Sequence, residues 1–104
     1  MGSSRVLKKI YNIYFIYFFE SNNLCSINTD EDFWRTVHSL EHGNFKLKLL
    51  YDKNEIKLKY YAEEIAGGKR YLRATICDKL TENDKKILKE NIGKVYLEIH
   101  IEIK

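Results

Sequence analysis

The sequence predicts an α+β two-layer domain, a mostly antiparallel sheet with two helices packed on one face, and three observations lead there. The segment KVYLEIHIEIK alternates apolar and polar residues along its length. FKLKLLY and IKLKY, separated by the polar DKNE, alternate in the same way. DEDFWRTVHSL and GGKRYLRATICDKL instead place apolar side chains at helical spacing, with charge gathered elsewhere. A period of two marks strands and a period of 3.6 marks helices. Elements with one apolar side must bury it on each other, which gives layers.

A length of 104 residues is that of one domain, here taken as 1–104. Hydrophobic residues at 44% and charged ones at 32% suit a folded chain and exclude general disorder. Lys and Arg outnumber Asp and Glu by 18 to 15, and this mildly basic balance permits an anionic partner without demanding one. Cys25 and Cys77 stand far apart with no CxxC pattern. They signal neither a zinc framework nor a disulfide scaffold, and fit a reducing, cytoplasmic compartment. Proline is absent, so glycines and Asx residues punctuate the chain.

Arg5, Lys8 and Lys9 precede the apolar run 10–19, which superficially copies a secretory signal. The run is aromatic, carries Asn12, has no small-residue cleavage site and is about half the length of a membrane span. It is expected to be a strand, and no membrane partner is expected. The polar ESNNLCSINT of 20–29 reads as a connection. Thr29 or Asp30 is placed to cap a helix over 30–42, with Glu31 and Asp32 in its first turn. Phe33, Trp34, Val37 and Leu40 form its apolar face and Gly43 stops it.

In the hairpin that follows, Phe45, Leu47, Leu49, Tyr51, Ile56, Leu58 and Tyr60 alternate with the outward Lys46, Lys48, Lys57 and Lys59. Over 67–80, a period of two sets Leu72, Ala74 and Ile76 against Tyr71, Arg73 and Thr75, a tolerable strand. A helical period instead aligns Leu72, Ile76 and Leu80 and moves Lys69, Arg70 and Arg73 away from them. Only the helix separates charge from apolar surface, so a helix is expected. TENDKKILKENIG over 81–93 is ambiguous, although its cap signature from Thr81 to Asp84 favours a helix. Val95, Leu97, Ile99, Ile101 and Ile103 then form the inward side of a strand, with Glu98, His100 and Glu102 outward.

Catalytic patterns are thin. His38 and His42 are spaced to hold a metal from one helix face, but a third ligand and the HExxH pattern are missing. Two exposed helix histidines are the plainer reading. No phosphate-binding glycine loop, nucleophile elbow or convergent carboxylate pair is present, and Cys77 reads as a packing residue. The expectation is a protein with no enzymatic activity, no cofactor, no metal and no small-molecule substrate.

The order of a Phe-rich strand, a helix holding DFW, a lysine-laced hairpin, KRYL and a closing alternating strand resembles the twenty-two-e family of eukaryotic large-subunit ribosomal proteins. Lys69-Arg70-Tyr71-Leu72 followed by Arg73 sits where that family opens its second helix with Lys-Arg-Tyr-Leu-Lys. The resemblance implies the order β-α-β-β-α-β-β, with 85–92 a strand that turns at Gly93-Lys94 into the last one. It implies a structural constituent of the large ribosomal subunit, in contact with ribosomal RNA and neighbouring ribosomal proteins. Lys69, Arg70 and Arg73 would touch the RNA from a helix edge, and Lys46, Lys48, Lys57 and Lys59 would extend the surface. The family's basic N-terminal extension and acidic tail are missing, and its second helix has more lysines.

Taken alone, the four hairpin lysines read as a solvated face paired to Glu98 and Glu102 before they read as an RNA surface. Tyr11, Tyr14 and Tyr17 read as a buried strand before they read as base-stacking rings. Two other functions stay open. YFIYFFESN, EDFW and GGKRYL also follow the order seen in cap-binding translation-initiation proteins, which hold a methylated base between two tryptophans, whereas this chain has Trp34 alone. A small inhibitor or immunity protein that binds another protein is the third reading.

Overall fold

A computed structural model describes residues 5–20, 22–40 and 45–103. It contains β1 (Arg5–Phe18), β2 (Leu24–Thr29), α1 (Glu31–Ser39), β3 (Phe45–Tyr51), β4 (Asn54–Ala66), β5 (Lys69–Ile76), α2 (Glu82–Glu90), a 3-10 turn at Ile92–Lys94 and β6 (Val95–Ile103). The α+β class holds, with every strand pair antiparallel. The sheet closes on itself in the order β1-β2-β5-β4-β3-β6, and β6 pairs with β1 from Ile103↔Arg5 to Tyr96↔Asn12. Closure gives every strand two neighbours and turns the inner face into the core.

Alternation decides which side chains enter that core. Leu47 and Leu49 of β3, Leu72 and Ala74 of β5, and Leu97 and Ile99 of β6 are buried, and each alternates with an outward neighbour. Irregularities between Ile13 and Phe15, and between Tyr60 and Ala62, shift the register. The first changes the parity of β1, so that Tyr11 and Ile13 point inward before it and Ile16 and Phe18 after it. Tyr14 and Tyr17 are consequently exposed, while Tyr11 is buried as expected. A large side chain buried in this way contributes roughly 1.5–3 kcal/mol, more than any exposed ion pair on the barrel.

Both helices pack on the inner face, at opposite ends. Val37 of α1 and Leu40 just beyond it line a cavity with Phe45 at the start of β3, whereas Ile87 and Leu88 of α2 line another with Tyr51 at its end. Phe33 and Trp34 are the buried anchors of α1. Asp30 precedes that helix without capping it; its carboxylate instead accepts hydrogen bonds from the Asn12 amide and the Tyr14 hydroxyl. The helix expected over 30–42 ends early, at Ser39, because Leu40 is already extended (φ −90°, ψ 132°), so the stop is not Gly43, which lies outside the described residues.

Three expectations need correction, and the observed order is β-β-α-β-β-β-α-β. The segment 20–29 is not a mere connection: its 24–29 part is β2, whose Cys25, Ile27 and Thr29 point inward between β1 and β5. Its polar Asn and Ser residues are the turn and the outward half of a short strand. GGKRYLRATI is a hairpin turn and strand β5, not a helix. Gly67 and Gly68 have φ of 59° and 76°, the left-handed geometry that a two-residue turn between paired Ala66 and Lys69 requires. The residues 85–92 belong to a helix and not a strand, because Thr81 and Asp84 form a reciprocal capping box with both bonds at 3.0 Å. At 85–92 the local cap signal prevails over the family pattern, whereas at 67–76 the helical spacing and the family pattern both gave way to the glycine turn.

Candidate nucleic-acid interface

β3 and β4 bring together four of the seven cations singled out by the sequence. Lys46, Lys48, Lys57 and Lys59 all lie on the outer surface, alternating with the buried Leu47, Leu49, Ile56 and Leu58. Lys48 and Lys57 are direct cross-strand partners. On the other edge of β3, Lys46 pairs with His100 and Lys48 with Glu98. The next strand sets Lys8 beside His100 and Ile10 beside Glu98. Lys8 thus joins the basic surface, a contribution that becomes visible only once β6 is known to lie between β1 and β3.

These lysines are not neutralised as a solvated face would be. Lys48 makes one ion pair, 3.2 Å to Glu55. Among the described residues the ammonium groups of Lys46, Lys57 and Lys59 make no ion pair, although the Asp78 carboxylate accepts the Lys57 backbone amide at 2.7 Å. Glu98, expected to pair with a lysine, is buried and hydrogen-bonded to His100 instead.

Lys69, Arg70 and Arg73 do not form one edge, because on the strand Arg70 lies on the opposite side from Lys69 and Arg73. Arg70 faces inward, with its guanidinium 5.9 Å from the Trp34 ring centre and its Nε 3.8 Å from Glu63. The other oxygen of Glu63 lies 2.5 Å from His38 Nε2. Arg73 faces outward, lies 4.9 Å from the Phe19 ring centre and pairs with Glu64 at 2.7 Å. Lys69 is exposed beside the turn and carries no ion pair among the described residues. The helix edge expected to touch RNA is therefore absent; two of its three cations are already engaged within the fold.

Sequence reasoning did not find the opening beside the lysines. The β3–β4 ladder runs from Tyr51↔Asn54 to Leu47↔Leu58 and stops there, while β3 stays paired to β6 through Phe45 and β4 to β5 through Ala66. Phe45–Lys46 and Lys59–Tyr60 consequently part. The gap forms a cleft of about 610 Å³, within the usual size of ligand sites, lined by Val37, Leu40, Phe45, Leu58 and Tyr60, with Lys46, Lys59 and Cys77 at its rim. Phe45 and Tyr60 meet edge to face at 5.8 Å. Partial burial and nearby Glu63 push the Tyr60 phenol up, which keeps it a neutral hydroxyl donor. Where a ladder ends is not written in residue alternation, so no pattern in the sequence signals this cleft.

Other reactive groups are inert or dispersed. Burial pushes the Cys25 thiol up to about 12. Trp34 is 1% exposed and offers no ring for stacking on a ligand. Among the described residues no three His, Cys, Asp or Glu side chains converge as a metal site, and no helix is long and apolar enough to cross a membrane. His42, the second histidine of the candidate pair, lies outside the described residues. The chain matches no protein-family model, no curated protein and no solved structure.

Proposed function

We propose that this chain is a non-catalytic RNA-binding domain that docks phosphates on the surface formed by Lys46, Lys48, Lys57 and Lys59. The assembly is the large ribosomal subunit in the cytoplasm, in keeping with the sequence resemblance, with neighbouring ribosomal proteins as further partners. The single observation that supports this reading is the cross-strand pairing of Lys48 with Lys57. Like charges held opposite one another destabilise a sheet. Their juxtaposition next to Lys46 and Lys59 is accounted for by a polyanion that binds there. Phosphates positioned by cations on a rigid sheet provide affinity with little reading of bases.

The test is binding of large-subunit ribosomal RNA over a series of salt concentrations, together with sedimentation of the protein with large subunits. Affinity should fall steeply with salt. Replacing all four lysines by Gln should flatten the logarithmic slope by about 3, since each phosphate contact contributes roughly 0.7–0.9. An unchanged slope removes the lysine surface from the reading. Failure to sediment with large subunits removes the ribosomal assignment.

A further inference from the structure

We infer that the cleft between β3 and β4 takes a single unstacked base of single-stranded RNA, whose flanking phosphates lie on Lys46 and Lys59. The inference rests on the RNA-binding reading above and adds the form of RNA that the surface recognises.

Three features of the cleft agree on this occupant. Its walls are aromatic and aliphatic, with Phe45 and Tyr60 edge to face and Val37 and Leu40 lining the same cleft. Tyr60 is 38% exposed and presents a ring on which a base can stack. Its rim carries two cations, Lys46 and Lys59, that have no ion pair among the described residues. Its sides are strand backbone released from the ladder at Phe45–Lys46 and Lys59–Tyr60, which supplies amides and carbonyls for the edge of a base. A flat, polar-edged, anion-linked group satisfies all three.

An RNA duplex does not fit this description, since it presents phosphates and a shallow groove and keeps its bases stacked.

Cys77 serves as a reporter, because its thiol is exposed at the rim of the cleft. The experiment measures affinity for a single-stranded oligouridylate and for a duplex of equal charge, and the rate at which N-ethylmaleimide alkylates Cys77. The single strand should bind more tightly and slow the alkylation. Tyr60→Ala should weaken single-strand binding between about 5-fold and about 150-fold, the range for loss of one base–aromatic stack, and leave the salt slope unchanged. Tyr60→Phe should bind nearly as the natural protein does, and its thermal melt checks that the fold is intact. Equal affinity for duplex and single strand, with Cys77 unprotected, overturns the inference and leaves the lysine surface standing. Protection of Cys77 by polyglutamate to the same degree as by the oligonucleotide also overturns it, since the occupant would then be recognised by charge alone. Absence of binding to either RNA removes both readings.

Discussion

Lys48 on β3 and Lys57 on β4 are cross-strand partners on the outside of the barrel, and one carboxylate, that of Glu55, lies 3.2 Å from the first of them. Two ammonium groups at this spacing repel, and the sheet holds them there with partial compensation. Stability and the proposed RNA docking therefore place opposite demands on the same pair.

Lys57→Glu converts the repulsion into an attraction. The variant should unfold at higher urea concentration, with a gain of about 0.2–1 kcal/mol, the usual size of a cross-strand pair. Its affinity for RNA should fall. A urea titration and an RNA titration on the same preparation decide the matter; movement of both in the same direction would contradict the conflict described for this surface.

Strand β5 is paired on both edges, and Leu72 within it is fully buried. Leu72→Ala should destabilise the fold by about 2–5 kcal/mol. At the turn before it, Gly67→Val puts a β-branched residue at φ 59° and should lose about 1–2 kcal/mol, while Gly67→Asn loses less. Equal tolerance of Val and Asn in thermal melts would mean that the turn does not require left-handed backbone.

The capping box of α2 ties stability to pH. Hydrogen bonds from Thr81, from its backbone first, hold the Asp84 carboxyl below the usual carboxylate range. A lowered folded-state value means that this contribution is complete above the unfolded value and is lost as pH falls through the folded one. Asp84→Asn should accordingly flatten the acid limb of the stability profile and leave the neutral plateau without that limb's slope. Thr81→Ala should lower stability by about 1 kcal/mol near neutral pH. Chemical denaturation at a series of pH values reads both effects.

The two thiols should differ sharply in reactivity. Cys25 is fully buried and held up to about 12, whereas Cys77 is exposed. Ellman's reagent at pH 8 should titrate one thiol rapidly in the native protein and both in urea. Rapid reaction of two native thiols would show that Cys25 is not sealed between β1 and β5.

The elements legible in the sequence were those whose periods had a single solution. β3, the first part of β4 and β6 alternate cleanly, and α1 carries its two anchors side by side at Phe33 and Trp34. β5 was hidden by an ambiguity of spacing. Residues four apart lie on one face of a helix and also on one face of a strand, so Leu72 and Ile76 satisfy both, and Leu80, which suggested the helix, lies beyond the end of the strand. β2 was hidden because half of a short strand that faces outward is free to be Asn and Ser. The lysine surface followed from alternation alone. The cleft beside it did not, since it depends on two strands parting, and neither did the neighbours of β6, which depend on closure.

The position of β6 also bears on how the chain is made. It lies between β1 and β3, yet it is the last of the described strands to leave a ribosome during synthesis. Until it arrives, the strands on either side of it each carry an unsatisfied edge, and the nascent barrel stands open along its length. Open edges of this kind recruit other chains. Folding must wait for a pairing that joins residues as far apart as Arg5 and Ile103, a slow step for any chain. Synthesis of this protein therefore includes an interval in which a nearly complete but unsealed sheet needs protection from its own copies, and a chain arrested before β6 should accumulate as aggregate instead of as a smaller folded domain.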